Sequence, residues 1–315
     1  MLTSPTVLIV LGGSGFVGRH VIAEAIAAGC TVKALARSPG SARAVQAQGA
    51  LAFLGDAERP LDWIDETAGA HAIVDLLQPK FPKRLGQRAL ARIAAERVRF
   101  TSGLVAALAR LPDDRRPVLI SVSGIDDLAP DAGGNISSDS PLRTNRHGFN
   151  PIGIPVRRAI EHSGVPAAFA YFSTVYGPGK GFADDVFPSI AAGTWKNFGA
   201  PSDRTALVHV DDAARGLVRI AQSAPAQIVG RSFVISDGDA TGLNDFYDLA
   251  ARLLGARAPG RVPGWLAKLV AGPALIETSI CNTPVTTSAD ALPREQFRYP
   301  SYREGLPATL AALKA

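Results

Sequence analysis

Cysteine is scarce in this sequence. Cys30 and Cys281 are the two present, they lie far apart, and neither belongs to a Cys-x-x-Cys pair. That excludes a disulfide scaffold and reads as two reduced thiols in a cytoplasmic protein. No His-Glu-x-x-His and no cluster of Cys and His marks a metal site, so no metal is expected. Basic residues are in slight excess, with net charge +5 and a pI of about 9.4. They are scattered, and without a basic run interleaved with aromatics no nucleic-acid partner is expected. No apolar run reaches the length of a membrane span. The nearest, Trp265 to Ile276, is interrupted by Lys268 and is expected to pack as a helix on its own domain, so no membrane partner is expected either. The N-terminus passes straight into a strand pattern without the basic start and cleavage site of a leader, which again suits the cytoplasm. The Gly-Lys-Ser/Thr of a P-loop is missing from the glycine-rich stretch at 12–18, and Ser123 lacks the Gly-x-Ser-x-Gly elbow of a hydrolase.

What is present is enough apolar material for a sizeable core. Of 315 residues 47% are hydrophobic and 19% charged, which bounds the chain to one large domain or two intimate ones. The organising stretch is Val7-Leu8-Ile9-Val10-Leu11-Gly12-Gly13-Ser14-Gly15-Phe16-Val17-Gly18-Arg19. An apolar run stops at two glycines, and a helical pattern (Phe16, Val17, Val21, Ile22, Ala25, Ile26) begins at once. Strand, tight turn and helix in that order aim backbone N–H groups and the positive end of the helix dipole at one point, which suits a phosphate. Glycines at 12, 15 and 18 allow the turn, the approach of a pyrophosphate and close helix–strand packing. In the first turn of a βαβ pattern this predicts a dinucleotide site.

A second strand, Thr31 to Ala36, ends in Arg37-Ser38-Pro39. A carboxylate at this place would bond an adenosine ribose 2′-hydroxyl and repel a 2′-phosphate. None is there, and Arg37 and Ser38 instead offer a cationic fork and a hydroxyl, which favours NADP over NAD. Further strands are predicted at Leu51 to Leu54, Ile73 to Leu77, Pro117 to Val122, Ala167 to Phe172, Ala206 to Val210 and Ser232 to Ile235. They alternate with helices at about Leu85 to Leu111 and Pro155 to Ser163, among others. That alternation predicts an α/β fold with a doubly wound parallel sheet of the Rossmann type. The basic loop Gln78 to Lys83 and the long polar connection Ile125 to Asn150 fall at strand C-terminal ends, where such sheets bind ligands. Arg143, Arg146 and His147 in that connection suit either a substrate-anion site or a solvated loop. The apolar stripe from Leu90 to Leu108 suits either a homodimer contact or packing on the sheet.

These residues carry a family pattern. Gly12 to Gly18, Gly55-Asp56, Val175-Tyr176-Gly177-Pro178-Gly179, Val208-His209-Val210-Asp211-Asp212-Ala213-Ala214 and the closing Tyr299 to Leu306 span nearly the whole chain. The chain resembles the extended, NAD-dependent epimerase/dehydratase-like branch of the short-chain dehydrogenase/reductase superfamily. The resemblance implies a dinucleotide-binding domain over residues 1–176, its sheet completed by 205–236. It implies a smaller C-terminal substrate-binding region from 177–204 and 237–315; the branch most often acts on glycosyl nucleotides, and a small polar substrate is expected here. It places Gly12, Ser14, Gly15, Phe16 and Val17 along the pyrophosphate, and Asp56 and Ala57 at the adenine, although Asp56 also suits a helix N-cap. Leu76, Leu77 and Gln78 would follow the cofactor, and Tyr171 and Ser173 would pass the nicotinamide. Ser123 stands where the family has its catalytic hydroxyl.

One departure outweighs the matches. The family's Tyr-x-x-x-Lys, a phenol kept acidic by a neighbouring ammonium, follows the fifth strand. Here Ile152 and Val156 are expected at those places, and neither carries a proton. Tyr176 is the first candidate for another donor, ahead of His147 and Lys80. His209 is expected to be a strand residue packed near Asp211. Two functions therefore stay open: an NADP(H)-dependent oxidoreductase or epimerase with a non-standard donor, and a dinucleotide-binding regulatory or assembly protein without turnover.

Overall fold

The computed structural model describes residues 6–82, 85–179, 182–239 and 241–314. Apolar, β-branched runs bounded by glycine or proline become strands. In chain order the first half runs β1 (Val7–Leu11), α1 (Phe16–Ala27), β2 (Thr31–Ala36), α2 (Pro39–Gln46), β3 (Leu51–Leu54), β4 (Ala72–Asp75), α3 (Gln87–Leu108), β5 (Val118–Gly124), α4 (Asn150–Ser163) and β6 (Ala167–Phe172). After them come β7 (Thr174–Tyr176), α5 (Phe187–Ala191), a strand at Leu207–His209 paired with β7, α6 (Val210–Gln222) and a strand at Ser232–Ile235.

Seven strands form one parallel sheet in the order Ser232–Ile235, β6, β5, β4, β1, β2, β3. Alternate residues of its strands enter two cores. Leu8, Val10, Val32, Val74 and Ile120 pack under α1 and α6. Ile9, Leu11, Leu35, Ile73 and Leu119 pack under α3 and α4. Helices on both faces explain why these strands read as continuous apolar runs rather than alternating ones. A third core gathers Tyr176, Phe187, Phe198, Phe246 and Leu306 from the later part of the chain.

Three expectations need correction. Helix α4 starts at Asn150, five residues before the predicted Pro155, which lies inside the helix. Pro155 lacks only the N–H of its own turn, and buried Ile152, Ile154 and Val156 hold that turn down. The segment Trp265 to Ile276 is not one packed helix. It is two short helices, Gly264–Ala271 and Pro273–Ser279, broken at Gly272, with Trp265, Leu269 and Val270 exposed. The fourth strand stops at Asp75, so Leu76 and Leu77 belong to the loop beyond it. The apolar stripe of α3 is buried within the protein: Leu104 and Leu108 meet the sheet core, while Leu90 and Ile93 meet Ile152 of α4. Among the described residues no helix is long and apolar enough to cross a membrane. Lys83, part of the expected basic loop, lies outside the described residues.

Candidate active site

The first βα turn is built by exclusion of side chains. Gly12 has φ of +83°, and a Cβ there would sit 2.9 Å from the Leu76 carbonyl oxygen. At Gly18 a Cβ would run into the Gly12 carbonyl itself. The Gly15 N–H donates to the Gly12 oxygen at 2.9 Å, closing the turn. Gly15 is the N-cap of α1 and offers no side-chain acceptor, so the helix enters the turn with its first N–H groups uncapped by the chain. Uncapped donors, a helix dipole and a cradle that a Cβ would fill fit a pyrophosphate. Ser14 is exposed on this turn, and Phe16 and Val17 are half-buried at its helical side.

Beside the turn, a cavity of about 480 Å³ is lined by Ser14, Arg19, His20, Ala23, Ala44 and Gln48. Arg19 was not singled out by the motif, although it directly follows Gly18. Arg37 is exposed at the end of β2 and does not line this cavity. Ser38 serves α2: its hydroxyl accepts from the Ser41 N–H at 3.2 Å, and Ser41 Oγ accepts from the Ser38 N–H at 3.0 Å. Asp56 is exposed, and its carboxylate accepts from the Glu58 N–H at 3.0 Å in a turn rather than capping a helix. Ala57 is half-buried next to it.

The loop after β4 is tied down by a pair that no motif marked. Asp75 and Arg97 are buried and meet at 2.5 Å, Arg97 also donates to Thr101 Oγ1 at 2.7 Å, and Asp75 Oδ1 accepts from the Leu77 N–H at 3.2 Å. Leu76 donates to the Leu11 oxygen at 3.0 Å. Leu76 and Leu77 are thereby held across from Gly12, while Gln78 and Lys80 are exposed. Among the described residues Lys80 makes no hydrogen bond or ion pair that would place it as a donor at the site.

Ser123, half-exposed at the end of β5, is followed by a 3₁₀ turn, Ile125–Asp127, that buries two carboxyls. Asp127 lies beside the Ser123 hydroxyl, and burial pushes it up to about 8. Asp126 accepts from the Phe149 N–H at 3.1 Å and from the Thr278 hydroxyl, and burial pushes it up to about 6. The residue of α4 that faces Ser123 and Asp127 is Gly153: a Cβ there would overlap both side chains. The expected positions, Ile152 and Val156, do not face this pair. Ile152 points into the core with Leu85, Leu90 and Ile93, and Val156 into the sheet core. One turn before Gly153, Phe149 packs its ring 5.6 Å from that of Phe81. Neither Phe149 nor Gly153 can carry a proton.

A second cavity, about 300 Å³, begins two residues beyond Ser123, at Ile125 and Asp126; Ser123 itself does not line it, and its charged lining is Asp126, Arg143, His147, Lys268 and Glu277. The structure thus brings Arg143 and His147 together and adds Lys268 from the C-terminal region. Arg146 stays exposed outside the cavity. Arg143 Nε is buried there with no partner. Burial first, then the Arg143 charge, pushes the His147 imidazole down.

Tyr176 does not reach an open face. It is fully buried, its ring 5.2 Å from His209 and 5.3 Å from Phe246, its hydroxyl packed on Gly305, and burial pushes the phenol well above its usual range. A proton donor so placed has no path to a substrate, which corrects the expectation for Tyr176. Tyr171 turns its hydroxyl toward Arg157 Nη1 at 2.7 Å, into the α4 face of the sheet. Ser173 is buried with its hydroxyl unpartnered at the end of β6. His209 is a core residue: Nδ1 accepts from the Asp211 N–H at 3.2 Å, and burial pushes it down to about 4.

These buried groups set the pH dependence of folding. Asp126, Asp127 and Asp237 keep their protons in the folded state up to about 6, 8 and 8, whereas the unfolded chain loses them near 3.8. Folded carboxyls that hold protons more tightly lose stability as pH rises through that window. His209 works in the opposite sense, but only between about 4 and 6.5. The melting temperature should therefore fall from pH 6.5 to just above 8, and differential scanning calorimetry across that range checks it.

Residues 12–145 match a family model described as NAD(P)H-binding. No curated protein matches the sequence. Among solved structures, the human epimerase family protein with NADPH shares 17% identity at a TM-score of 0.74, covering 97% of this chain and 99% of that one. A UDP-glucuronic acid 4-epimerase mutant from Bacillus cereus, in complex with a fluorinated UDP-sugar and NAD, shares 16% identity at 0.75, covering 98% and 99%. A nucleoside-diphosphate-sugar epimerase from Pseudomonas aeruginosa shares 16% at 0.73, covering 99% and 98%. The chain therefore has the fold of these epimerase structures, and its residues 12–145 resemble an NAD(P)H-binding family.

Proposed function

We propose that the protein is an NADP(H)-dependent oxidoreductase or epimerase-like enzyme that acts on a small polar substrate without the family's tyrosine as proton donor. The observation that carries this reading is the juxtaposition of a side-chain-free cradle at Gly12–Gly18 with a half-exposed Ser123 at the same edge of the sheet. A bound nicotinamide supplies or accepts hydride. The chain's own part is to hold the pyrophosphate on the α1 N-terminus and to polarise the substrate oxygen with the Ser123 hydroxyl. Arg143, His147 and Lys268 would orient the substrate in the 300 Å³ cavity. That volume sits at the small end of ligand sites, which supports a small molecule over a nucleotide-sugar. The test is NADPH oxidation across a panel of carbonyl compounds: turnover that disappears in Ser123→Ala supports the reading.

A second reading, a dinucleotide-binding protein without turnover, is supported by Gly153, which has no side chain, on the helix face toward Ser123. Cofactor binding with no hydride exchange on any carbonyl would favour it. The preference for NADP rests on Arg37 and the absence of a carboxylate at the end of β2, with Arg19 as an additional cation beside the turn. Arg37→Asp should weaken NADPH by roughly 10- to 100-fold, the worth of a charged hydrogen bond, and leave NADH nearly unchanged. Equal effects on the two cofactors in a fluorescence titration would show that Arg37 does not read the 2′-phosphate.

A further inference from the structure

We propose that the Asp127 carboxyl, seated against Gly153 beside the Ser123 hydroxyl, is the proton relay of this site, exchanging a proton with the substrate oxygen through Ser123 Oγ. The inference rests on the oxidoreductase reading above and names the donor which that reading leaves open.

The geometry is specific. Asp127 is 1% exposed, and its Oδ2 has no partner. Its backbone oxygen accepts from the Arg143 N–H at 2.8 Å, which fixes the turn that presents the carboxyl. The carboxyl fills the volume that a side chain at position 153 would take, beside Ser123 Oγ. The charged and titratable groups around it are Asp126 from its own turn, Arg157 from α4 and Tyr171 from β6. Arg157 is not an ion-pair partner for it. The guanidinium is engaged by Glu161 at 2.7 Å, by the Tyr171 hydroxyl at 2.7 Å and by Ser232 Oγ at 2.9 Å. A carboxyl buried without a counterion favours its neutral form, and burial pushes Asp127 up to about 8, so near neutral pH it holds a proton. Ser123, half-exposed, is its link to the open side.

The proton balance closes. In the reducing direction hydride from the reduced nicotinamide adds to the substrate carbonyl carbon, and the carbonyl π pair moves to oxygen. That oxygen takes the Ser123 Oγ proton, and Ser123 takes the Asp127 proton. The products are the alcohol, the oxidised cofactor and an Asp127 carboxylate, which recovers its proton from water through Ser123. Oxidation runs the same transfers backwards.

The test needs no substrate. NADP⁺ carries a positive nicotinamide ring and NADPH a neutral one, on the same phosphates. A positive ring near Ser123 favours the Asp127 carboxylate, so NADP⁺ binding expels a proton that NADPH binding does not. Isothermal titration calorimetry in buffers of different ionisation enthalpy reads the difference. In wild type it is expected to be a fraction of a proton, largest just below pH 8. In Asp127→Asn, which keeps the shape, the difference should vanish while NADPH affinity stays within roughly twofold. In Ser123→Ala the maximum should move to higher pH, because the neighbouring hydroxyl that lowers the carboxyl's affinity for its proton is gone. This second variant carries the test if Asp127→Asn does not fold. No difference between the cofactors in wild type, or the same difference in Asp127→Asn, overturns the relay and leaves the oxidoreductase reading standing. Failure of wild type to bind either cofactor overturns both.

Discussion

Gly18→Val is expected to destroy the first βα turn and with it dinucleotide binding. A side chain at position 18 meets no flexible neighbour that could yield. It meets the Gly12 carbonyl and the Gly13 Cα, the backbone of the turn itself. Gly12 cannot withdraw, because its own Cα faces the Leu76 carbonyl. Overpacking against side chains costs about 1–3 kcal/mol, and overlap with fixed backbone belongs at or above the top of that range. Urea denaturation should show a loss of about 3 kcal/mol. Any folded fraction should bind NADPH far more weakly than wild type, because the N–H groups that face the pyrophosphate are displaced together with the turn.

The second large effect lies at the buried pair of Asp75 and Arg97. Asp75→Ala leaves the Arg97 guanidinium, 3% exposed, with only Thr101 Oγ1 to satisfy it. Removing one partner of a buried pair typically costs about 3–5 kcal/mol, most of it the penalty of an uncompensated charge. The same change removes the acceptor for the Leu77 N–H, so the loop that faces Gly12 loosens as well. Both stability and NADPH affinity should fall. A double variant, Asp75→Leu with Arg97→Met, should recover much of the stability, because an apolar pair needs no charge compensation. Loop order should not return with it, since the bond to Leu77 stays lost. Chemical denaturation alongside NADPH titration separates the two effects.

Much of the scaffold was legible because its signals are local. β1, β2, β6 and the Ser232–Ile235 strand occupy the stretches that their apolar runs predict. The parallel sheet follows from their alternation with helices. Proline misled at α4: Pro155 reads as a helix start, yet six residues into the helix it is tolerated because the surrounding apolar residues are buried on two sides. The glycine turn was legible as strand, turn and helix because three glycines and the helix that follows form one contiguous pattern. The chemistry around Ser123 was not, because it is assembled over long separations. Asp126 takes its hydroxyl partner from Thr278, 152 residues away, and Asp127 owes its place to a missing side chain on a helix 26 residues later, at Gly153. No spacing rule announces that an absence in one element seats a carboxyl from another. Tyr176 misled for the converse reason. Its Gly-Pro-Gly neighbourhood looks like an open loop, but pairing with Leu207–His209 and the packing of Gly305 enclose it.

The glycine turn at Gly12–Gly18 is the proposed seat of the dinucleotide. Titration of the wild-type protein with NADPH, followed by nicotinamide fluorescence, tests that most directly. Saturable binding, tighter for NADPH than for NADH and lost in Gly18→Val, is the predicted result. Binding of neither cofactor by the folded wild-type protein would contradict it.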